Sequence, residues 1–181
     1  MARRTVWTVG HSTRPLDELV AILESAGVTR LVDVRSIPRS RTNPQFNIDA
    51  LPAALAPHGI EYCHLAALGG RRPLRRDVPS RNPGWEHPAF RAYADYAGTP
   101  AFRSGLGQLE LLALERPTAI MCAEAVWWRC HRRLIADYLI VRGWSVVHLM
   151  GVGRSEPARL TPGTRVLDDG VIEYLGNPDA R

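Results

Sequence analysis

The sequence contains no lysine: all 23 of its basic residues are arginine. This is the composition a GC-rich genome produces, and it removes Schiff-base chemistry and the phosphate-gripping lysine of P-loop enzymes. Cysteine is scarce. Cys63, Cys122 and Cys130 are the whole complement, an odd set that argues against a secreted disulfide framework and for a reducing compartment, with Cys122 and Cys130 expected as thiols. Long apolar runs are missing too. None reaches the roughly 18–20 residues that cross a bilayer. The start "MARRTVWTVGHS" is basic but lacks the apolar core and small-residue cleavage site of a signal peptide. A cytoplasmic protein with no membrane partner is therefore expected. "GVGRSE" (151–156) lacks the third glycine of a dinucleotide fingerprint, and no cofactor is expected.

What is present suits an ordinary globular chain. Its 181 residues are 45% hydrophobic and 23% charged, enough for one domain with a real core. The net charge of +5 permits an anionic partner without requiring one.

Apolar runs and turn residues alternate in a strand-then-helix rhythm. Strands are expected at 5–10, 29–35, 60–65, 118–123 and 144–151. The segment 14–27 reads as a helix, with Ser12 or Thr13 as cap, Pro15 in the first turn and Gly27 at its end. A helix weakened by Pro52 is expected over 48–59, another over 130–143, and helical stretches at "AFRAYADYAG" and "AFRSGLGQLELLALE". The polar stretch 68–88 reads as a mobile or functional loop. "TRVLDDGVIEYLG" reads as a small hairpin around Asp169-Gly170. The expected fold class is α/β: a single domain, 1–181, with a mostly parallel open sheet of about five strands, helices on both faces and a small C-terminal hairpin.

Such sheets bind ligands beyond the carboxyl ends of their strands. There the sequence places His11-Ser12, Asp33 to Arg35, His64, Cys122 to Glu124 and, within the fifth strand, His148. The joint "IMCAEAVWWRCHRR" (120–133) is the richest. Its arginines crowd a helix start where the backbone already presents positive charge, the arrangement that holds an anion; a solvated charged face, with Arg133 pairing Asp137, is the alternative. Cys122 is either a buried small hydrophobe or a nucleophile activated by that positive field. Glu124 is the candidate acid or base. Cys130 and His131 either fix the loop or join the site. Cys122, Cys130 and His131 with His11 or His64 would make a metal set, but the spacing matches no standard zinc pattern, and no metal is expected. In "DVRSIPRSRTNPQFN" (33–47), Asp33 could orient Arg35. Arg39, Arg41 and the loop arginines 71, 72, 75, 76 and 81 could form a positive rim, with Phe46, Tyr62, Trp85 and Tyr93 as stacking surfaces.

"TVGHS", "LVDVRSIPRSR", "PQFN", "YCHLAALGG" and "MCAEAVWWRCHRR", in this order, resemble the domain-of-unknown-function 488 family, from about Thr8 to His148. The resemblance implies a compact cytoplasmic α/β protein, with a family-like core at about 5–151 and a C-terminal extension at 152–181. Carried over, its pattern points to His11, Ser12, Asp33, Arg35, Pro38, Ser40, Phe46, Asn47, Tyr62, Gly69, Gly70, Cys122, Glu124, Cys130, His131 and Arg132. A fainter similarity to rhodanese-like and cysteine-phosphatase domains bears on site placement alone.

The expected function is an enzyme acting on a small anionic or nucleotide-like ligand. Glu124, Cys122, His11 and His131 are its candidate catalytic groups. Ser12, Asp33, Arg35, Ser40, Asn47, Tyr62, Cys130 and Arg132 are its candidate binding groups. The alternatives are a nucleic-acid-binding module using the arginine-rich loop, or a non-catalytic interaction protein.

Overall fold

A computed structural model describes residues 4–179. The chain opens with β1 (Thr5–Gly10), α1 (Leu16–Ser25) and β2 (Arg30–Asp33), followed by α2 (Leu51–Leu55) and β3 (Glu61–His64). After the long loop come α3 (Pro88–Ala97) and α4 (Pro100–Glu115), then β4 (Thr118–Cys122), α5 (Arg132–Val141) and β5 (Ser145–Gly151). Three short strands finish it: β6 (Arg154–Pro157), β7 (Thr164–Val166) and β8 (Ile172–Tyr174). The main sheet has the order β3-β2-β4-β1-β5-β6. Its first five strands are parallel, and β6 pairs antiparallel with β5. The two-stranded β7–β8 hairpin stands apart. This is the expected α/β class, with the turn at Asp169-Gly170 where the sequence put it.

Burial follows the two-residue period of a strand. In β4, Ala119 and Met121 face a core built with Leu19, Ile22 and Leu23 of α1 and Leu51 and Leu55 of α2. Ile120 and Cys122 face the opposite core, with Tyr93 of α3, Phe102 and Leu106 of α4, and Leu134, Ile135 and Leu139 of α5. All five residues of β4 are buried, as befits a strand covered on both faces.

Four local expectations need correcting. The start of α1 has no side-chain cap. Pro15 occupies the N-cap position, and Ser12, at φ 48°, turns the chain away. The expected helix 48–59 shrinks to the single turn of α2 and a 3-10 turn, Ala56–His58, closed by Gly59 at φ 68°. Two prolines within six residues leave little continuous helix to build. α5 starts at Arg132 rather than residue 130, after a 3-10 turn at Trp127–Arg129. Finally, β6 was not foreseen, because "RSEP" has no apolar face to announce an edge strand. Among the described residues no helix is long and apolar enough to cross a membrane.

Candidate functional site

The parallel strands bring their carboxyl ends to one edge, and the loops after β1 and β4 zip together there. The His11 amide donates to the Cys122 carbonyl at 2.9 Å and the Ser12 amide to the Ala123 carbonyl at 3.0 Å. Gly10 makes the crossing possible. A Cβ there would lie 1.8 Å from the Glu124 carbonyl oxygen, so no side chain fits. A cleft of about 900 Å³ opens above this edge. His11, Arg35, Ser40, Cys122, Glu124, Cys130 and His131 all line it. Ser12, Asp33, Asn47, Tyr62 and Arg132 do not, and their contacts show why.

Asp33 lies behind the wall, fully buried. It takes two bonds from the Arg35 guanidinium, at 2.9 and 2.7 Å, and one from the Tyr62 hydroxyl at 2.5 Å. Burial, then this carboxylate, pushes the Tyr62 phenol up, so it stays protonated and holds Asp33. Arg35 is locked in place and also donates to the Phe46 carbonyl at 2.6 Å. The Asn47 side-chain oxygen accepts from the Ser40 amide at 2.7 Å, fixing the rim loop rather than the cleft wall.

His11 has both ring nitrogens engaged. Arg35 Nη1 lies 3.2 Å from Nε2, and Nδ1 lies 2.8 Å from the Ser12 carbonyl. A guanidinium only donates, so Nε2 accepts and Nδ1 carries the proton. Burial lowers its pKa first, with Arg35 adding to the effect. Stacked on Phe46 at 4.4 Å, the neutral ring serves as a wall that orients Arg35.

His131 is different. Nε2 lies 2.8 Å from the Val34 carbonyl and so carries the proton, leaving Nδ1 with a lone pair 3.6 Å from Cys130 Sγ. Burial pushes this imidazole down to about 4. Gly70 packs on the ring, where a Cβ would come within 2.5 Å of Nδ1.

The Sγ atoms of Cys122 and Cys130 are in contact, as in a disulfide. Their Cα atoms stand 7.6 Å apart, wider than the roughly 4.4–6.8 Å of a relaxed bridge. The backbone therefore fits two facing sulfurs better than a bond. Cys130 Sγ also accepts from Arg132 twice, from the amide at 3.4 Å and from Nε at 3.3 Å. Arg132 itself is 1% exposed and lies under the cleft floor. It reaches the Glu124 carbonyl at 2.8 Å and the Thr8 hydroxyl at 3.4 Å. Among the described residues no carboxylate pairs with it, and burial lowers its pKa to about 9. The sequence had aimed this arginine at a ligand; the structure aims it at the thiol and the loop.

The free charges sit elsewhere on the cleft. Arg41, Arg71 and Arg129 line it and are exposed, and their guanidinium groups make no ion pair or hydrogen bond among the described residues. The Glu124 carboxylate is likewise exposed and unpaired there. Arg39 is tied to Asp49. The far wall, from His87, Ala89 and Phe90, escaped the sequence reading. Its signal was the His87-Pro88 helix start, where the His87 ring caps the Ala89 amide at 3.2 Å.

A comparison with family models matches residues 15–139 to one described as Domain of unknown function DUF488. The match spans Asp33, Arg35, Ser40, Cys122, Glu124, Cys130, His131 and Arg132, and begins after His11 and Ser12. No curated protein and no solved structure matches the chain.

Proposed function

The chain belongs to the family of the domain of unknown function DUF488, and from that premise we propose that it is an enzyme acting on a small anionic, nucleotide-like substrate in the cleft. One observation carries the reading: three guanidinium groups without ion pairs, Arg41, Arg71 and Arg129, share a cleft with an unpaired carboxylate, Glu124. Unpaired arginines gathered in a concavity hold phosphate or carboxylate groups. A carboxylate left beside them repels an anion, so its presence makes sense where it moves a proton at the reacting atom. Arg35, held by Asp33, stiffens the wall on which the ligand rests.

The nucleic-acid alternative has less support, because the loop arginines are largely engaged within the chain. Arg72 lies over the Tyr96 ring at 3.8 Å and bonds the Ala66 carbonyl at 2.8 Å. Arg75 pairs with Asp77 and Arg81 with Glu173.

Calorimetry with inorganic phosphate, ribose 5-phosphate and adenosine monophosphate as probes tests the proposal. At least one should bind. Arg71→Ala and Arg129→Ala should each weaken it by about 1.5–3 kcal/mol, the range for a charged hydrogen bond. Glu124→Gln should retain or tighten binding, since a repelling charge is removed, and abolish turnover of the bound ligand. Failure of all three probes, or indifference to both arginine substitutions, would overturn the proposal.

A further inference from the structure

The sulfur pair and the imidazole at the cleft floor have no part in the anion-holding scheme, yet their arrangement is specific. Cys122 Sγ, Cys130 Sγ and a His131 ring nitrogen all lie within 4.8 Å of one another. His131 donates Nε2–H to the Val34 carbonyl, which leaves Nδ1 as the electron-pair donor on the Cys130 side. A metal-ligating histidine is held in just this way, by a backbone carbonyl on its second nitrogen. Cys130 Sγ receives two N–H bonds from Arg132. Arg132 is a buried cation with no carboxylate in ion-pair contact among the described residues; Glu124 acts on it only through space, and a buried cation gains from a negative partner in contact. A thiolate at Cys130 supplies it.

We infer that Cys122, Cys130 and His131 form a three-ligand site for a zinc-class divalent metal, with its fourth position open to the cleft. Two thiolates and a neutral imidazole are the soft and borderline donors that select zinc over magnesium or calcium. Three protein ligands facing a cleft are the pattern of a site that leaves room for water or a ligand oxygen. His11, whose ring nitrogens are both engaged, and His64, whose Nε2 lies 2.7 Å from the Arg35 carbonyl, are not the fourth ligand. The spacing of Cys122 and Cys130 resembles no zinc motif because one ligand ends a strand and the others lie just ahead of a helix. Only the folded sheet brings them together. The inference stands whether or not the cleft binds the proposed substrate.

The test uses the full chain, reduced with a phosphine, stripped with a chelator and titrated anaerobically with Co²⁺. About one equivalent should bind, with a near-ultraviolet thiolate-to-cobalt charge-transfer band and intense visible bands of tetrahedral cobalt, displaced by Zn²⁺. Cys63→Ser should leave the spectrum unchanged. Cys130→Ser and His131→Asn should each weaken cobalt binding by more than about 100-fold, beyond the 10–100-fold of an outer-shell change. The inference is overturned if the reduced wild-type chain shows no thiolate band. It is equally overturned if a Cys122–Cys130 bond survives reduction, or if the band persists undiminished in His131→Asn. The wild-type spectrum decides even where a cysteine variant fails to fold.

Discussion

Beneath the cleft, side chains that carry charge in water are held in unusual states. His148 is 2% exposed, stacks on Trp127 at 4.6 Å and 5°, and has Nδ1 at 2.7 Å from the Thr8 hydroxyl. Burial, then the nearby Arg132, pushes its imidazole down to about 3. The folded form thus resists a proton that the unfolded chain accepts near pH 6.5. Stability should be fully present above about pH 6.5 and fall as pH drops toward 3, by at most about 1.4 kcal/mol per pH unit. His148→Asn offers an amide to Thr8 but cannot titrate. Urea unfolding of both proteins between pH 7 and 4 should show the wild type losing its advantage as pH falls. A constant difference would mean that His148 takes up its proton as readily in the fold as in the unfolded chain. Arg132 teaches the companion lesson. A guanidinium at a helix start, read from sequence, points to an anion; here it satisfies a sulfur, a hydroxyl and a carbonyl. Nothing in the residue order distinguishes a ligand from a floor.

At the scale of elements, α5 joins the site to the C-terminal segment. Its first turn supplies Arg132, and the next residues hold the tail. Arg133 bonds the Thr161 hydroxyl at 3.1 Å, the Pro178 carbonyl at 2.6 Å and Asp179 at 2.8 Å, instead of pairing Asp137. Asp137, buried, accepts from the Thr161 amide and the Tyr174 hydroxyl, both at 2.8 Å. Tyr174→Phe removes one donor from a buried carboxylate and should cost about 1–3 kcal/mol. Thermal unfolding checks this, and an unchanged midpoint would show that water replaces the hydroxyl. These contacts mark the limit of sequence reading. The parallel strands were legible because "TVWTVG", "TAIMCA" and "WSVVHLMG" are runs of mostly apolar residues rather than alternating ones, as suits doubly covered strands. The hairpin was legible from Asp169-Gly170. The edge strand β6 and the truncated α2 were not, since pairing and proline placement decided them rather than hydrophobic period. In the site, the convergence of His11, Arg35, Cys122 and Glu124 followed from topology alone. Arg41, Arg71 and Arg129 were visible only as members of a charged crowd. Which of them stay unpaired depends on where Asp49, Asp77 and Glu173 fall in space.

For the whole molecule, a net charge of +5 invites weak contact with any polyanion, and salt separates that from use of the cleft. Three free arginines neutralising single-stranded phosphates give a log–log salt slope of about −2. Anisotropy with a labelled oligonucleotide should therefore show a slope no steeper than that. A much steeper slope would reveal a phosphate track along the surface and favour the nucleic-acid alternative. The strand order has a further consequence, for the making of the protein. β1 leaves the ribosome first among the strands, yet it pairs with neither β2 nor β3. Its neighbours are β4 and β5, encoded far downstream. Until Thr118–Cys122 and then Ser145–Gly151 are synthesised, the future centre of the sheet has two bare edges, the state most open to intermolecular pairing. The cleft floor, made where β1 and β4 meet, is therefore among the last parts of the nascent chain to take shape. Translation speed and chaperone cover across this long middle section should set how much of the newly made chain reaches its native form.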